Sequence, residues 1–127
     1  MSIQAFGILP KVIEADELLN AQPDSREIFR EAHPEVCFYL LNNRRPLAYS
    51  KKKPEGREQR VSLLRSWYES EVDAVVAQRP QMRCEADDII DSLAGLWTAE
   101  RIQRGEAITL PAIPPVDAKG IRMEMVA

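Results

Sequence analysis

The segment from Glu85 to Arg104 is the longest unbroken helical pattern in the chain, and it sets what the remainder must supply. At 3.6 residues per turn, Ala86, Ile89, Ile90, Leu93, Leu96 and Trp97 gather into one arc that has to face a core. Gly105 follows where a helix stop is wanted. A helix with one apolar arc needs partners, and 127 residues are enough to provide them in one modest domain, since domains run roughly 100–200 residues. The spacing therefore predicts a single domain over residues 1–127, with neither internal repeat nor low-complexity stretch.

Prolines mark out the partners. Residues 3–20 place Ile3, Phe6, Leu9, Ile13, Glu17 and Leu18 on a helical stripe, with Pro10 expected to kink or restart it. Arg26 to Ala32 holds the apolar pair Ile28-Phe29 and stops at His33-Pro34, which predicts a strand. Pro34 and Pro54 are suited to the first helical position, each followed by a glutamate at the positive end of the dipole, predicting helices over 34–42 and 54–68. In the second of these, Val61, Leu64, Trp67 and Tyr68 form the apolar face. Glu71 to Gln78 reads as a further helical piece closed by Arg79-Pro80, and the alternation over Gly120 to Val126 predicts a terminal strand.

Composition excludes several functions. Hydrophobic residues at 45% and charged residues at 29% describe an ordinary globular chain, and a net charge of -3 gives no reason for bulk attraction to nucleic acid or anionic lipid. No apolar run approaches the ~20 residues of a membrane span, and the first residues lack a secretory signal, so a non-membrane, cytoplasmic protein is expected. Cys37 and Cys84 with the lone His33 cannot make a four-ligand zinc site, and both are expected as reduced thiols. The five glycines form neither a phosphate-cradling loop nor a nucleophile elbow, which disfavours a small-molecule enzyme.

Two charged features remain. Asp87, Asp88 and Asp91 lie outside the apolar arc; Asp87 and Asp91 are four apart, where like charges repel by a few tenths of a kcal/mol. Ala94, Gly95 and Thr98 continue their stripe, so the carboxylates are expected to overlook a shelf of small residues open to a cation or a phosphate. Three aspartates in the first turns of a helix also simply favour its dipole. Hard cations such as Mg2+ need oxygen ligands from more than one element, and Glu31 is the best additional candidate, with His33 placed to orient a carboxylate or to bond locally at a helix start. The second feature is basic: Arg44, Arg45, Lys51, Lys52, Lys53, Arg57 and Arg60 put seven of 17 positive charges in one stretch, a local phosphate-binding surface or a solvated loop, with Tyr49 able to stack on a base.

In series, QAFGILPK, REAHPEVCFYLLN, PLAYSKKKPEGREQR, DDIIDSLAGLWTAERIQRGEA and LPAIPPVDAKGIRMEM resemble domain of unknown function family 429, from about Gln4 to Met125. That family is described as predicted nucleases with a ribonuclease-H-like fold. The resemblance implies an α/β fold, the carboxy-terminal portion of a ribonuclease-H-like domain, helix-rich with a few short strands. It also implies acidic residues that converge on Mg2+ or Mn2+ for phosphodiester hydrolysis. Carried over residue by residue, it points to Glu31, Asp87 and Asp91 as catalytic and, with Asp88, as metal ligands. Lys51, Lys52, Lys53 and Arg57 would contact nucleic acid, and His33-Pro34-Glu35 matches a further family-like stretch. Lys53 stands where the family commonly has threonine.

Family members usually begin with a strand meander bearing a GxDG-like motif, which this sequence does not show. The catalytic set is therefore expected to be incomplete in this chain, the alternative being a non-catalytic nucleic-acid-binding or assembly module. A sheet without its first strands would leave backbone and helix faces uncovered, so a homo-oligomer burying Ile3, Phe6 and Leu9 is expected as well.

Overall fold

The computed structural model describes residues 3–127, with side-chain surroundings from residue 6 onward. In chain order the elements are α1 (Ile3–Ala21), a short 3-10 helix (Pro23–Glu27), α2 (Pro34–Leu41), α3 (Pro54–Tyr68), α4 (Glu71–Ala77), α5 (Arg79–Met82), α6 (Ala86–Arg104), β1 (Thr109–Leu110) and β2 (Met125–Val126). β1 and β2 pair as a two-stranded sheet, so the chain is a mostly helical α/β protein. The single domain expected from the spacing divides into two compact units: one of the chain up to Glu31 with Thr109–Met125, the other of Ala32–Ile108 with Val126–Ala127.

The larger unit is built around α6, which packs on α2, α3 and α4. Pro34 and Pro54 open α2 and α3 as their fixed φ favours. Gly105 ends α6 at φ +70°, a conformation that penalises residues carrying a Cβ. Asp88 accepts the Glu85 backbone N–H at 3.0 Å, satisfying a donor at the start of α6. The core gathers Cys37 and Phe38 from α2, Val61 and Leu64 from α3, Val72 from α4, and Ile90, Ala94 and Trp97 from α6.

Two expectations for these helices need correction. Leu96 and Trp67 are exposed rather than core-facing, Trp67 meeting Trp97 edge-on at 6.1 Å. Ala94 and Thr98 are buried, at 0% and 2% exposure, so they form no open shelf. Their small side chains let α2 come close enough for Cys37 Sγ to lie 3.1 Å from Thr98 Oγ1. A helix packed on more than one side buries more than its single apolar arc. Burial pushes the Cys37 thiol up, which keeps it protonated and unreactive. α4 ends at Ala77 with Gln78 as its cap, ahead of Arg79-Pro80 as the sequence predicts, and a further short helix, α5, starts at Arg79, Pro80 falling in a first turn where its missing N–H does no harm.

In the smaller unit α1 continues through Pro10 without a new start. Phe6, Leu9, Ile13 and Leu18 are exposed, and the side chain of Ile3 lies outside the described residues. The strand expected over Arg26 to Ala32 is absent: Pro23 starts a 3-10 turn through Glu27, and the remainder is irregular. Ile28 and Phe29 are 78% and 57% exposed, so the apolar pair meets neither a core nor a neighbouring strand. Of the strand expected over Gly120 to Val126, only Met125–Val126 forms, together with a single bridge from Arg122 to Val116. Asp117 accepts the backbone N–H groups of Lys119 and Ile121 and holds a tight turn that leaves little length to pair.

Candidate functional site

The acidic face of α6 and the basic segment, read separately in the sequence, meet in the larger unit. Lys51 Nζ donates to Asp91 Oδ2 at 2.8 Å, and Arg57 Nε to Asp87 Oδ1 at 3.2 Å. The repulsion between Asp87 and Asp91 is thus offset by a cation apiece. The hydrogen bond to Asp91 raises the Lys51 ammonium above the usual lysine range, with Glu35 and Asp87 adding Coulombic support. Asp91 Oδ1 is buried and has no hydrogen-bond partner. Asp88 is turned to its capping role and is exposed.

A third ion pair anchors the segment. Arg60 is 4% exposed and donates to both carboxylate oxygens of Glu35, at 2.7 and 2.8 Å from Nη2 and 3.2 Å from Nε. Its Nη1 donates to the carbonyls of Gly56 and Tyr49, and its guanidinium stands over the Phe38 ring at 5.6 Å. Arg60 is therefore an internal clamp between α2, α3 and the loop, not part of a phosphate surface. Gly56 completes this joint, because a Cβ there would fall 2.6 Å from the Ser50 carbonyl carbon and 2.9 Å from the Tyr49 oxygen. A cleft of about 490 Å³ opens beside it, lined by Glu35, Tyr39, Tyr49, Lys51 and Arg60.

The remaining sequence candidates fall elsewhere. Lys52 and Lys53 are solvent-exposed, as are Arg44 and Arg45. His33 caps α2, its Nδ1 accepting the Glu35 backbone N–H at 3.3 Å, the local role weighed for a histidine at a helix start. Glu31 belongs to the smaller unit, where it lines a cleft with Arg26, Glu27, Arg30, Arg122 and Glu124. Among the described residues no three of His, Cys, Asp and Glu form a group able to hold a metal ion. Sequence reasoning missed Arg60 and Glu35 as a pair and Gly56 as a close-approach residue. All three lie in motifs singled out above, but which of several arginines turns inward is a tertiary property.

The geometry is thus that of a mostly helical α/β protein whose charged face is knitted by Lys51–Asp91, Arg57–Asp87 and Arg60–Glu35. No curated protein and no solved structure matches the chain. Residues 1–116 match the model of the family described as "Protein of unknown function (DUF429)", and the chain belongs to that family. Among the described residues no helix is long and apolar enough to cross a membrane.

Proposed function

We propose that the chain is part of a metal-dependent nuclease of the ribonuclease-H-like class, the carboxy-terminal portion of that fold, contributing nucleic-acid contacts and an incomplete carboxylate set. The observation that carries this reading is the docking of the basic segment on the acidic face of α6, Lys51 on Asp91 and Arg57 on Asp87, with Lys52 and Lys53 exposed in the same loop. Phosphodiester chemistry needs that juxtaposition: cations to seat the backbone and carboxylates to hold Mg2+ or Mn2+. The residues do not fit a two-metal centre. A dense cluster is needed to hold ions ~3.5–4 Å apart, and here each α6 carboxylate already serves a cation of the chain itself. Among the described residues no three candidate ligands gather, and the buried, unpartnered Asp91 Oδ1 leaves room for one loosely held ion at most.

The test is calorimetry with Mn2+. The parent should bind it weakly, Asp91→Asn about tenfold more weakly, as losses in and around metal sites run, and Lys51→Met more tightly, because a competing ammonium is gone. Equal binding by Asp91→Asn would make the aspartates structural. That outcome would favour the second reading, a non-catalytic nucleic-acid-binding or assembly module. The module reading draws on the same exposed lysines, and on the exposed Phe6, Leu9 and Ile13 of α1 as a surface for self-association.

A further inference from the structure

Among the described residues, clefts lined by arginine or lysine differ in how the charge is matched. In the smaller unit Arg26, Arg30 and Arg122 face Glu27, Glu31 and Glu124. Beside Tyr49, Lys51 and Arg60 face Glu35. The third, of about 330 Å³, lies in the larger unit between the end of α2 and the last turn of α6, lined by Leu40, Asn43, Arg44, Arg101 and Ile108. It holds two arginines and no carboxylate.

Arg44 is exposed and among the described residues carries no counter-charge, and Arg101 has only a long ion pair at the edge of the cleft. Arg101 is held in place by stacking on Trp97 at 4.7 Å and by donating to the Glu106 carbonyl. Its Nε has no partner, and its Nη1 reaches a carboxylate oxygen of half-exposed Glu106 only at 4.0 Å. The backbone presents Arg44 deliberately. Asn43 and Arg44 both adopt positive φ, +53° and +59°, and the Arg44 N–H closes on the Tyr39 carbonyl at 2.9 Å, so the side chain leaves a fixed turn. Asparagine tolerates that conformation; arginine takes it only where the surroundings enforce it.

We propose that this cleft binds a phosphate group, free or esterified. Two guanidinium groups match the planar oxygen pairs and the double charge of a phosphate, and Leu40 and Ile108 provide walls that weaken competition from water. The room is ample, since a water molecule takes up about 30 Å³. Arg101 lies ten residues beyond Asp91 on α6, about 15 Å along the axis at 1.5 Å per residue, so the site is separate from the acidic face and independent of the nuclease reading.

Inorganic phosphate is the first probe, followed by amide and arginine side-chain NMR shifts of the full chain. Saturable shifts at Arg44, Arg101 and Asn43 are expected. Arg44→Gly should weaken binding about tenfold, the usual loss for one hydrogen bond to a charged group, while keeping the fold, because glycine suits positive φ. A thermal melt matching that of the parent confirms the fold. A short oligonucleotide without terminal phosphate is the second probe: competition at the same residues assigns a phosphodiester, and failure to compete assigns a free or terminal phosphate, both retaining the site. Absence of saturable binding by inorganic phosphate, or unchanged affinity in Arg44→Gly, overturns the proposal.

Discussion

Gly56→Ala is expected to destabilise the larger unit by about 3 kcal/mol, the upper part of the range for forcing an extra methyl into packed structure. The direction is informative because the local effect runs the other way. Alanine inside a helix is favoured over glycine by about 1 kcal/mol, and Gly56 sits in the first turn of α3. What reverses the sign is the backbone of Tyr49 and Ser50, which would lie within 2.9 Å of the new Cβ. Backbone cannot rotate away as a side-chain tip can, so either α3 retreats from the loop or the loop leaves α3. Both movements pull Arg60 from the Gly56 and Tyr49 carbonyls it binds. Urea unfolding should show a lower midpoint; a midpoint at or above that of the parent would mean that the loop is not seated against α3.

The second large effect is expected at Arg60. Arg60→Met should cost about 3 kcal/mol, the low end for breaking a buried ion pair, because Glu35 is still 41% exposed and can be rehydrated. Glu35→Gln should cost only about 1 kcal/mol, a neutral acceptor replacing a charged one. Arg60→Lys should recover little. An ammonium is a point charge and cannot donate in one plane to both Glu35 oxygens while also reaching two carbonyls, as the guanidinium does. The double variant Arg60→Met with Glu35→Gln should lose less than the sum of the singles, the coupling between contacting residues commonly reaching 0.5–3 kcal/mol, about what a double-mutant cycle resolves. Strict additivity would show that the two side chains act independently.

Both effects reside in a motif that the sequence displays openly, yet their direction is hidden in it. Helix boundaries were legible because they are set by local chemistry: Pro34, Pro54 and Gly105 stand where fixed or positive φ is needed. The core was legible where one arc of a helix is buried, as at Ile89, Ile90 and Trp97. It was misread where a second arc packs, since the burial of Ala94 and Thr98 depends on α2, which no periodicity within α6 reveals. The strand expected at Ile28-Phe29 failed for the converse reason, two apolar residues being exposed because the fold gives them no partner. Charge was the least legible. Consecutive lysines Lys51, Lys52 and Lys53 look equivalent in sequence, but the loop turns Lys51 onto Asp91 and leaves its neighbours in water. Arg57 and Arg60, three apart on α3, divide in the same way between a half-exposed pair and a buried clamp.

That division is what the functional reading depends on, and it can be measured as the salt dependence of affinity for a single-stranded oligonucleotide. Each phosphate contact contributes about 0.7 to the slope of log affinity against log salt for single strands. Replacing Lys52 and Lys53 together by alanine should therefore lower the slope by about 1.4, weaken binding, and leave the unfolding midpoint unchanged, since both side chains are solvent-exposed. An affinity and slope that ignore the double substitution, or a parent chain that does not bind the oligonucleotide, would contradict the assignment of the basic segment to nucleic acid.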